Sequence, residues 1–547
     1  MKKFGRAALA IALAAVAVVL PLRLNLNAEA KVTDPTVFDE NNIILSFGAI
    51  SDTHIQKNSY AVTEGDYCKP LLRDAIDSLL AQASIHDKDG LDAIVVAGDL
   101  IEVNVSSSNQ AGRNTRSAAE LNAFADVIYE YKDTSIGTNF ITTPGNHDWR
   151  GIYTRELVSH RDLFGDEYFE SNETRKEYRF DEEVSYRHTA IVKSGMEFHF
   201  IVLQPEHGTT PYDYDPVALD YLEADLKEIT TKNPNAYVFV ATHVAPVDTA
   251  RGSEYDWRDS KGFLSEGLVK NVEDSRYTAK FTTEYTYTDF QGNTKTVMVD
   301  KNGNTMREIL PNYPQVMTFA GHSHCPLNEE RSIWQGTFTA LSTSSSKYTS
   351  DFPDGEHVNN TFDMTTGGER NRGGLLVQVD INGNVRITRV NFSRNYLEDK
   401  SNLVIKDAWE LSHPTSDGAH LTKYTFDRSQ ENEAPVMSGE IGVDITADAG
   451  TVTKVTVNVP AATDDDMVHH YEVIVKDNST GVSKTYKYLS DFYRVPNPED
   501  MATVYSMDLP EAYLTEGEYT VSVSAVDSWG AKSNKLERKI TVTGANS

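Results

Sequence analysis

The chain has 547 residues, enough for two to four domains and a sizeable core. Its formal net charge of −30 argues against nucleic-acid binding through a basic surface, and its 39% apolar content suits a soluble globular protein. The two cysteines, Cys68 and Cys325, exclude a disulfide framework and a zinc-ribbon spacing.

Residues 1–30 read as an export signal. Lys2, Lys3 and Arg6 precede an apolar run at 7–22, broken only by Pro21, and Ala28-Glu29-Ala30 fits a cleavage site before Lys31. The run is short for a spanning helix, which needs about 20 residues. Because Arg23 interrupts the stretch before the cleavage site, an uncleaved N-terminal membrane anchor is the alternative. Either way the protein is expected to be secreted or extracytoplasmic.

Strand and helix patterns then alternate. The apolar run 43–50 stops at Ser51-Asp52-Thr53-His54. A helix is expected around 68–84, with Pro70 in its first turn and Leu72, Ala75, Ile76, Leu79 and Leu80 at helical spacing. The run 93–97 stops at Gly98-Asp99. Residues 103–116, rich in Ser and Asn, read as a loop, and 118–131 as a helix with Leu121, Phe124, Val127 and Ile128 on one stripe. The run 140–143 stops at Pro144-Gly145-Asn146-His147-Asp148. Residues 151–183 carry no assignable pattern. A hairpin is expected from 186–192 and 197–203 around Ser194-Gly195, a helix from 216–229, and a strand from 237–241 that leads to Thr242-His243. The alternation predicts a βαβα sheet with helices on its faces.

The long gap between His243 and Gly321 holds hairpin-like segments at 283–287 and 294–299 and an Asn302-Gly303 turn. It reads as an insertion, 249–315, that either shapes a substrate pocket or decorates the surface. The run 316–320 then stops at Gly321-His322-Ser323-His324. Residues 337–342, 374–379 and 385–392 are expected to complete the sheets, with Asn382-Gly383 as a hairpin turn and Ser344-Ser345-Ser346 as a loop. Residues 401–432 read as a connecting segment.

Five strand-like runs thus end in Asp, Asn or His, the oxygen and nitrogen ligands of metals. Ligands of open α/β sheets collect outside the carboxyl ends of the strands, so the five ends are expected to build one site. The set has imidazoles, carboxylates and an amide but no thiolate pattern. It is too large for one tetrahedral ion and suits two open ones.

The ordered set Asp52-x-His54, Gly98-Asp99, Gly145-Asn146-His147-Asp148, His243 and Gly321-His322-x-His324 resembles the calcineurin-like metallophosphoesterases over roughly residues 44–395. That resemblance implies an α/β fold, two packed sheets flanked by helices in an αββα sandwich, within a catalytic domain at 31–400. It implies that Asp52, His54 and His324 hold one metal ion, that Asn146, His243 and His322 hold a second, and that Asp99 bridges them. The ions would be divalent or mixed-valence Mn, Fe or Zn. It also implies a phosphate ester substrate, a monoester or diester, attacked by metal-bound hydroxide with His147 as general acid. Glu102 or Asp148 would support His147.

The chain departs from particular branches. Where the phosphoprotein phosphatases carry an Asp–Arg pair, Glu102-Val103 stands here. Purple acid phosphatases carry glycine at His54 and a tyrosine ligand at Glu102, so a tyrosinate–iron site is not expected. A 5′-nucleotidase would need a base-stacking C-terminal domain. Phosphodiesterases and phosphomonoesterases acting on extracellular esters remain. Arg150, Tyr153 and Arg251 lie near motifs but read as surface residues, and Cys325 as a small buried hydrophobe.

From about residue 433 the texture changes to short alternating runs: 453–459, 471–475, 503–509, 519–525 and 539–542. Tyr519-x-Val521-x-Val523-x-Ala525-x-Asp527 resembles a late strand of a fibronectin type III or immunoglobulin-like sandwich, which implies a C-terminal all-β domain at 433–547. Such a module could contact a cell surface or polymer. His469 and His470 read as surface histidines. A second function class, a non-catalytic extracellular binding or adhesion protein on a metallophosphoesterase scaffold, would show gaps in the ligand set. None of the seven ligand positions is missing here.

Overall fold

The computed structural model describes residues 37–56, 68–87, 89–102, 110–149, 160–182, 184–203, 216–246, 249–251, 253, 281–288, 294–300, 306–349, 371–392, 404–448, 451–493, 495, 500–509 and 514–543. The expected export signal, Arg150, Tyr153 and the Asn302-Gly303 turn lie outside these residues. No helix among them is long and apolar enough to cross a membrane.

The first half of the fold follows from three apolar runs separated by two amphipathic helices. Strand β1 (Ile43–Ile50), helix α1 (Lys69–Ala83), β2 (Ala93–Ala97), α2 (Gln110–Glu130) and β3 (Phe140–Thr143) succeed one another, and β1, β2 and β3 pair in parallel. Parallel strands are covered on both faces, which is why these runs are continuously apolar. Leu45, Phe47 and Ala49 enter one core, while Ile50 enters another beneath α1 and α2. Helix α2 begins at Gln110, inside the stretch expected as loop. Its first two turns are polar, so no apolar stripe announces them.

The second sheet is built from β4 (Arg175–Asp181), β5 (Tyr186–Lys193), β6 (Met196–Leu203), β7 (Tyr237–Thr242), β10 (Val316–Ala320), β11 (Ile333–Gln335) and β12 (Thr339–Ser342), with α3 (Pro216–Lys232) between β6 and β7. Ser194 and Gly195 both have positive φ, as a two-residue hairpin turn between β5 and β6 requires. Strand β4 escaped assignment because it is a charged edge strand, Arg-Lys-Glu-Tyr-Arg-Phe-Asp. Its Glu177 pairs with Arg187 of β5, and its Arg179 with Asp225 of α3. The insertion contributes β8 (Phe281–Thr288) and β9 (Thr294–Asp300), which among the described strands pair only with each other.

Strands β13 (Gly373–Asp380), β14 (Val385–Asn391) and β15 (Trp409–Leu411) complete the first sheet, in the order β15-β14-β13-β1-β2-β3. The second sheet runs β11-β12-β10-β7-β6-β5-β4. Phe47 meets Phe200, Phe239 and Phe319 between the sheets, with ring centroids 5.1, 4.7 and 5.7 Å apart. Leu219, Leu222, Leu226 and Ile229 seat α3 on the outer face of the second sheet. The result is the α/β architecture of two packed sheets flanked by helices. Residues 401–432 do more than connect: they add β15 and place Trp409, Leu411 and Tyr424 in the inter-sheet core.

Two antiparallel sheets follow. The strands are β16 (Gly442–Asp448), β17 (Thr451–Pro460), β18 (Val468–Asp477), β19 (Ser483–Leu489), β20 (Val504–Asp508), β21 (Gly517–Asp527) and β22 (Leu536–Val542), in the orders β16-β17-β20 and β19-β18-β21-β22. Val455, Val457, Tyr471, Val473, Val521 and Val523 share one core between them. The Tyr519 hydroxyl donates to the Thr515 carbonyl at 3.2 Å and ties the entry of β21 to the preceding corner. Strands β16 and β19 were not expected. Both are edges, where the alternating residues are few: Val443 and Ile445 in β16, Tyr486 and Tyr488 in β19.

The C-terminal sheets are docked on the αββα core through buried polar contacts. Phe492 O accepts from Asn328 Nδ2 at 2.9 Å and from Asn371 Nδ2 at 2.6 Å, and Arg331 Nη1 donates to Ser528 O at 2.8 Å. This interface corrects two expectations. His469 and His470 are buried rather than on the surface, and Arg251 is buried against them, with Nη2 3.2 Å from His469 Nε2.

Glu330 anchors the same region, 2.9 Å from Arg389 Nη1 and 3.4 Å from Lys406 Nζ, and Lys406 reaches on to Asp466 at 2.9 Å. Burial alone would raise the Glu330 pKa, but the Arg389 and Lys406 charges bring it down to about 2. A depressed carboxylate contributes stability above its unfolded value and loses it as pH falls toward the folded one. Glu330→Gln is therefore expected to destabilise the protein by about 2–3 kcal/mol at pH 7. Urea unfolding at stepped pH should show that gap closing between the ordinary value of 4.5 and about 2. A gap that is constant with pH would contradict this linkage.

Candidate metal centre

Each of the five apolar runs ends in a tight backbone turn that carries ligands. Asp52, His54, Asp99, His322 and His324 all have left-handed backbones, with φ of 51, 41, 50, 68 and 53°. Such conformations cost about 1 kcal/mol or more each and persist where the surroundings over-determine them. Here the loops brace one another. Asp52 N donates to Gly98 O at 2.9 Å, His54 N to Asp99 O at 3.0 Å, and Gly321 N to His243 O at 3.1 Å. The motif glycines are required by close approach. A Cβ on Gly98 would lie 2.4 Å from His243 Nδ1, and one on Gly145 would lie 2.2 Å from Asp99 Oδ1.

Two ligand groups result, Asp52–His54–His324 and Asp99–His243–His322. In the first, His324 Nε2 lies 3.0 Å from Asp52 Oδ1 and 3.1 Å from His54 Nε2. In the second, His243 Nε2 lies 3.3 Å from Asp99 Oδ2. The same Asp99 oxygen is 3.7 Å from His54 Nε2, so Asp99 stands between the groups. Asn146 opens the short helical turn Asn146–Trp149 after β3.

The donor set fits a cation. His324 Nδ1 faces the Tyr348 carbonyl at 3.0 Å and His243 Nδ1 the Ala97 carbonyl at 2.9 Å. A carbonyl cannot donate, so each neutral ring carries its hydrogen on Nδ1 and turns the Nε2 lone pair inward. Asp52 Oδ1 is buried without a hydrogen-bond donor. In those tautomers the Nε2 lone pairs of His324 and His243 and the Asp52 oxygen point into one centre. Burial opposes charge on His54, yet Asp52, Glu102 and Asp99 raise its pKa to about 10; Asp99 likewise outweighs burial at His243 and raises it to about 9. A dication in the centre would take the place of those protons.

His147 sits at the rim of this arrangement. Its backbone N donates to Asp99 Oδ1 at 2.8 Å, its Nδ1 faces the Glu102 carbonyl at 2.6 Å, and its Nε2 lies 4.0 Å from Asp99 Oδ2. Burial lowers its pKa below the ordinary imidazole value. Of the two expected supports, Glu102 touches His147 and Asp148 does not. The Asp148 carboxylate instead accepts from the backbone N–H groups of Leu100, Ile101 and Gly145 at 3.1, 3.0 and 2.6 Å, stapling the ends of β2 and β3 together. Burial, then the Asp99 charge, push its pKa up to about 7.

One set of neighbours was missed. The loop after β12 wraps the first ligand group: Ser51 Oγ donates to Ser344 O at 2.9 Å, Ser345 Oγ to Asp52 O at 3.2 Å, and Lys347 Nζ to Glu102 Oε2 at 3.0 Å. Strand β12 lies parallel to β10, so its end reaches the same edge. Its run into Thr343-Ser344-Ser345-Ser346 was a sixth polar strand end, passed over because serine is a turn residue first.

Two nitrogen–oxygen ligand groups, with Asp99 between them, thus stand at the parallel strand ends of an αββα sandwich. Residues 45–326, more than half of the chain, match the calcineurin-like phosphoesterase family, and the chain belongs to that family. No curated protein matches it. Among solved structures it is similar to a purple acid phosphatase, PPD1, from yellow lupin (Lupinus luteus) seeds. That match has 13% identity, covers 69% of this chain and 55% of the phosphatase, and has a TM-score of 0.35. The chitinase ChiA74 from Bacillus thuringiensis matches at 9% identity over 90% of this chain and 65% of that one, with a TM-score of 0.15. The chain thus spans about half of the phosphatase and less than two thirds of the chitinase.

Proposed function

We propose that the protein is an exported, dinuclear-metal phosphoesterase that hydrolyses an extracellular phosphomonoester or phosphodiester. The observation that carries this reading is the convergence of two ligand groups on a shared Asp99, with His147 beside them. Asp52, His54 and His324 would hold one ion, and His243 and His322, with Asn146, the other. Bound Mn, Fe or Zn ions would neutralise phosphoryl oxygens and supply a nucleophilic hydroxide near neutral pH. Glu102 fixes His147 through its carbonyl, so that Nε2 faces the centre and its imidazolium can protonate the leaving oxygen. Burial favours release of that proton.

The intact ligand set weighs against a binding-only scaffold. Strand order in the C-terminal sheets and the Tyr519 corner support reading this module as fibronectin type III-like, suited to a cell-surface or polymer contact. Export rests on the composition of residues 1–30.

The test is hydrolysis of p-nitrophenyl phosphate and of bis-p-nitrophenyl phosphate by protein lacking residues 1–30, with and without added Mn²⁺. Metal-dependent turnover is expected, and the preferred ester assigns mono- or diesterase. A protein that binds no metal and turns over neither ester would overturn the proposal in favour of the binding reading.

A further inference from the structure

We infer that Lys347 is a positioning residue of the metal centre: its ammonium assigns the Glu102 carboxylate to the ligand His54 rather than to His147. The inference rests on the reading of the site as a metal centre.

Besides the two ligand groups, a third constellation of titratable side chains lies behind them: His54, Glu102 and His147. It faces the Nδ1 side of both rings, away from the shared Asp99. The cation of this third group is supplied by the chain itself. Lys347 Nζ is 3.0 Å from Glu102 Oε2 and 3.1 Å from the carbonyl of His54. The lysine is 1% exposed. A buried ammonium is costly unless it is paired and hydrogen-bonded, so its place here is tied to that carboxylate.

The geometry shows how the carboxylate is divided. Glu102 Oε2, the oxygen that Lys347 holds, is the one 3.3 Å from His54 Nδ1. Its other oxygen is 3.7 Å from His147 Nδ1, and that nitrogen instead faces the Glu102 carbonyl at 2.6 Å. The two histidines therefore have different partners. His54, which would hold a metal, is backed by a carboxylate, and such a partner orients a ligating imidazole and strengthens it for a cation. His147 is backed by a neutral carbonyl, which orients the ring without holding a proton on it as a carboxylate would. Lys347 is well placed to enforce this division because its loop is anchored to the same ligand group. Ser346 N donates to Ser51 O at 3.0 Å, and Tyr348 O faces His324 Nδ1 at 3.0 Å.

The experiment is a Mn²⁺ titration of the full chain, read by the electron paramagnetic resonance signal of free Mn²⁺. Lys347→Met is expected to weaken Mn²⁺ binding about 10- to 100-fold, and Lys347→Arg to recover most of that loss. Because Lys347→Met strands a buried carboxylate, the double variant Lys347→Met/Glu102→Gln removes both charges and keeps the question open to test if the single variant does not fold. It is expected to fold and still to bind Mn²⁺ weakly. Wild-type affinity in the folded Lys347→Met or double variant would overturn the inference alone. A wild-type chain that binds no Mn²⁺, and no Zn²⁺ or Fe²⁺ by metal analysis, would overturn the metal-centre reading and the inference with it.

Discussion

On the proposed function, Asp99→Asn is expected to lower metal-dependent ester hydrolysis by at least about 10³-fold, since a shared carboxylate would support both ions, whose stabilisation of transition-state charge is worth several kcal/mol. The Asp99 carboxylate lies between the two ligand groups, 3.3 Å from His243 Nε2 and 3.7 Å from His54 Nε2. It also accepts from the backbone of His147 at 2.8 Å. Asparagine keeps the shape and an oxygen for that backbone bond but removes the negative charge. Desolvation would raise the Asp99 pKa, yet the neighbouring His243 and His147 hold it far below the usual carboxylate range, so the group is ionised at any working pH. Metal analysis beside steady-state hydrolysis checks the result. The variant should fold and bind less than two ions per chain. Full occupancy with near-normal turnover would remove Asp99 from the bridging position.

His147→Asn should separate catalysis from metal binding. The expected loss in kcat is about 10²- to 10⁴-fold, with metal content unchanged. The loss should be smaller for p-nitrophenyl esters than for phenyl esters, because a weakly basic leaving group needs little protonation. A pH profile adds a second check. Burial lowers the His147 pKa, so the protonated form that donates is depleted as pH rises through that lowered value. The wild-type rate should fall on that limb, and the limb should vanish in the variant. Equal losses on both leaving groups, or a limb that persists, would assign His147 an orienting role only.

Much of this centre was legible along the chain. Apolar runs that stop at Asp or His mark strand ends, and Gly98 and Gly145 mark places where no side chain fits between neighbouring loops. The helices were legible where an apolar stripe existed, as in α1, and illegible where it did not, as in the first turns of α2. Edge strands β4, β16 and β19 were missed: β4 is mostly charged, and the alternation of β16 and β19 rests on only two or three apolar or aromatic residues each. Asp148 follows His147 so closely that it stood beside Glu102 as an alternative support for it. Its carboxylate turns instead to three backbone N–H groups, a direction that adjacency in sequence cannot convey.

The sequence by itself determined the ligand types, their order and their attachment to strand ends, because those depend on local composition and period. Tertiary structure alone decided which lone pairs face one another, which histidine receives the Glu102 carboxylate, and that Lys347 stands behind it. Glu102 and Lys347 are 245 positions apart and meet only because β2 and the loop after β12 end at the same edge of two packed sheets. Burial decided the rest. His469, His470 and Arg251 are polar residues that composition assigns to the surface, and a docking interface between the αββα core and the C-terminal sheets encloses them.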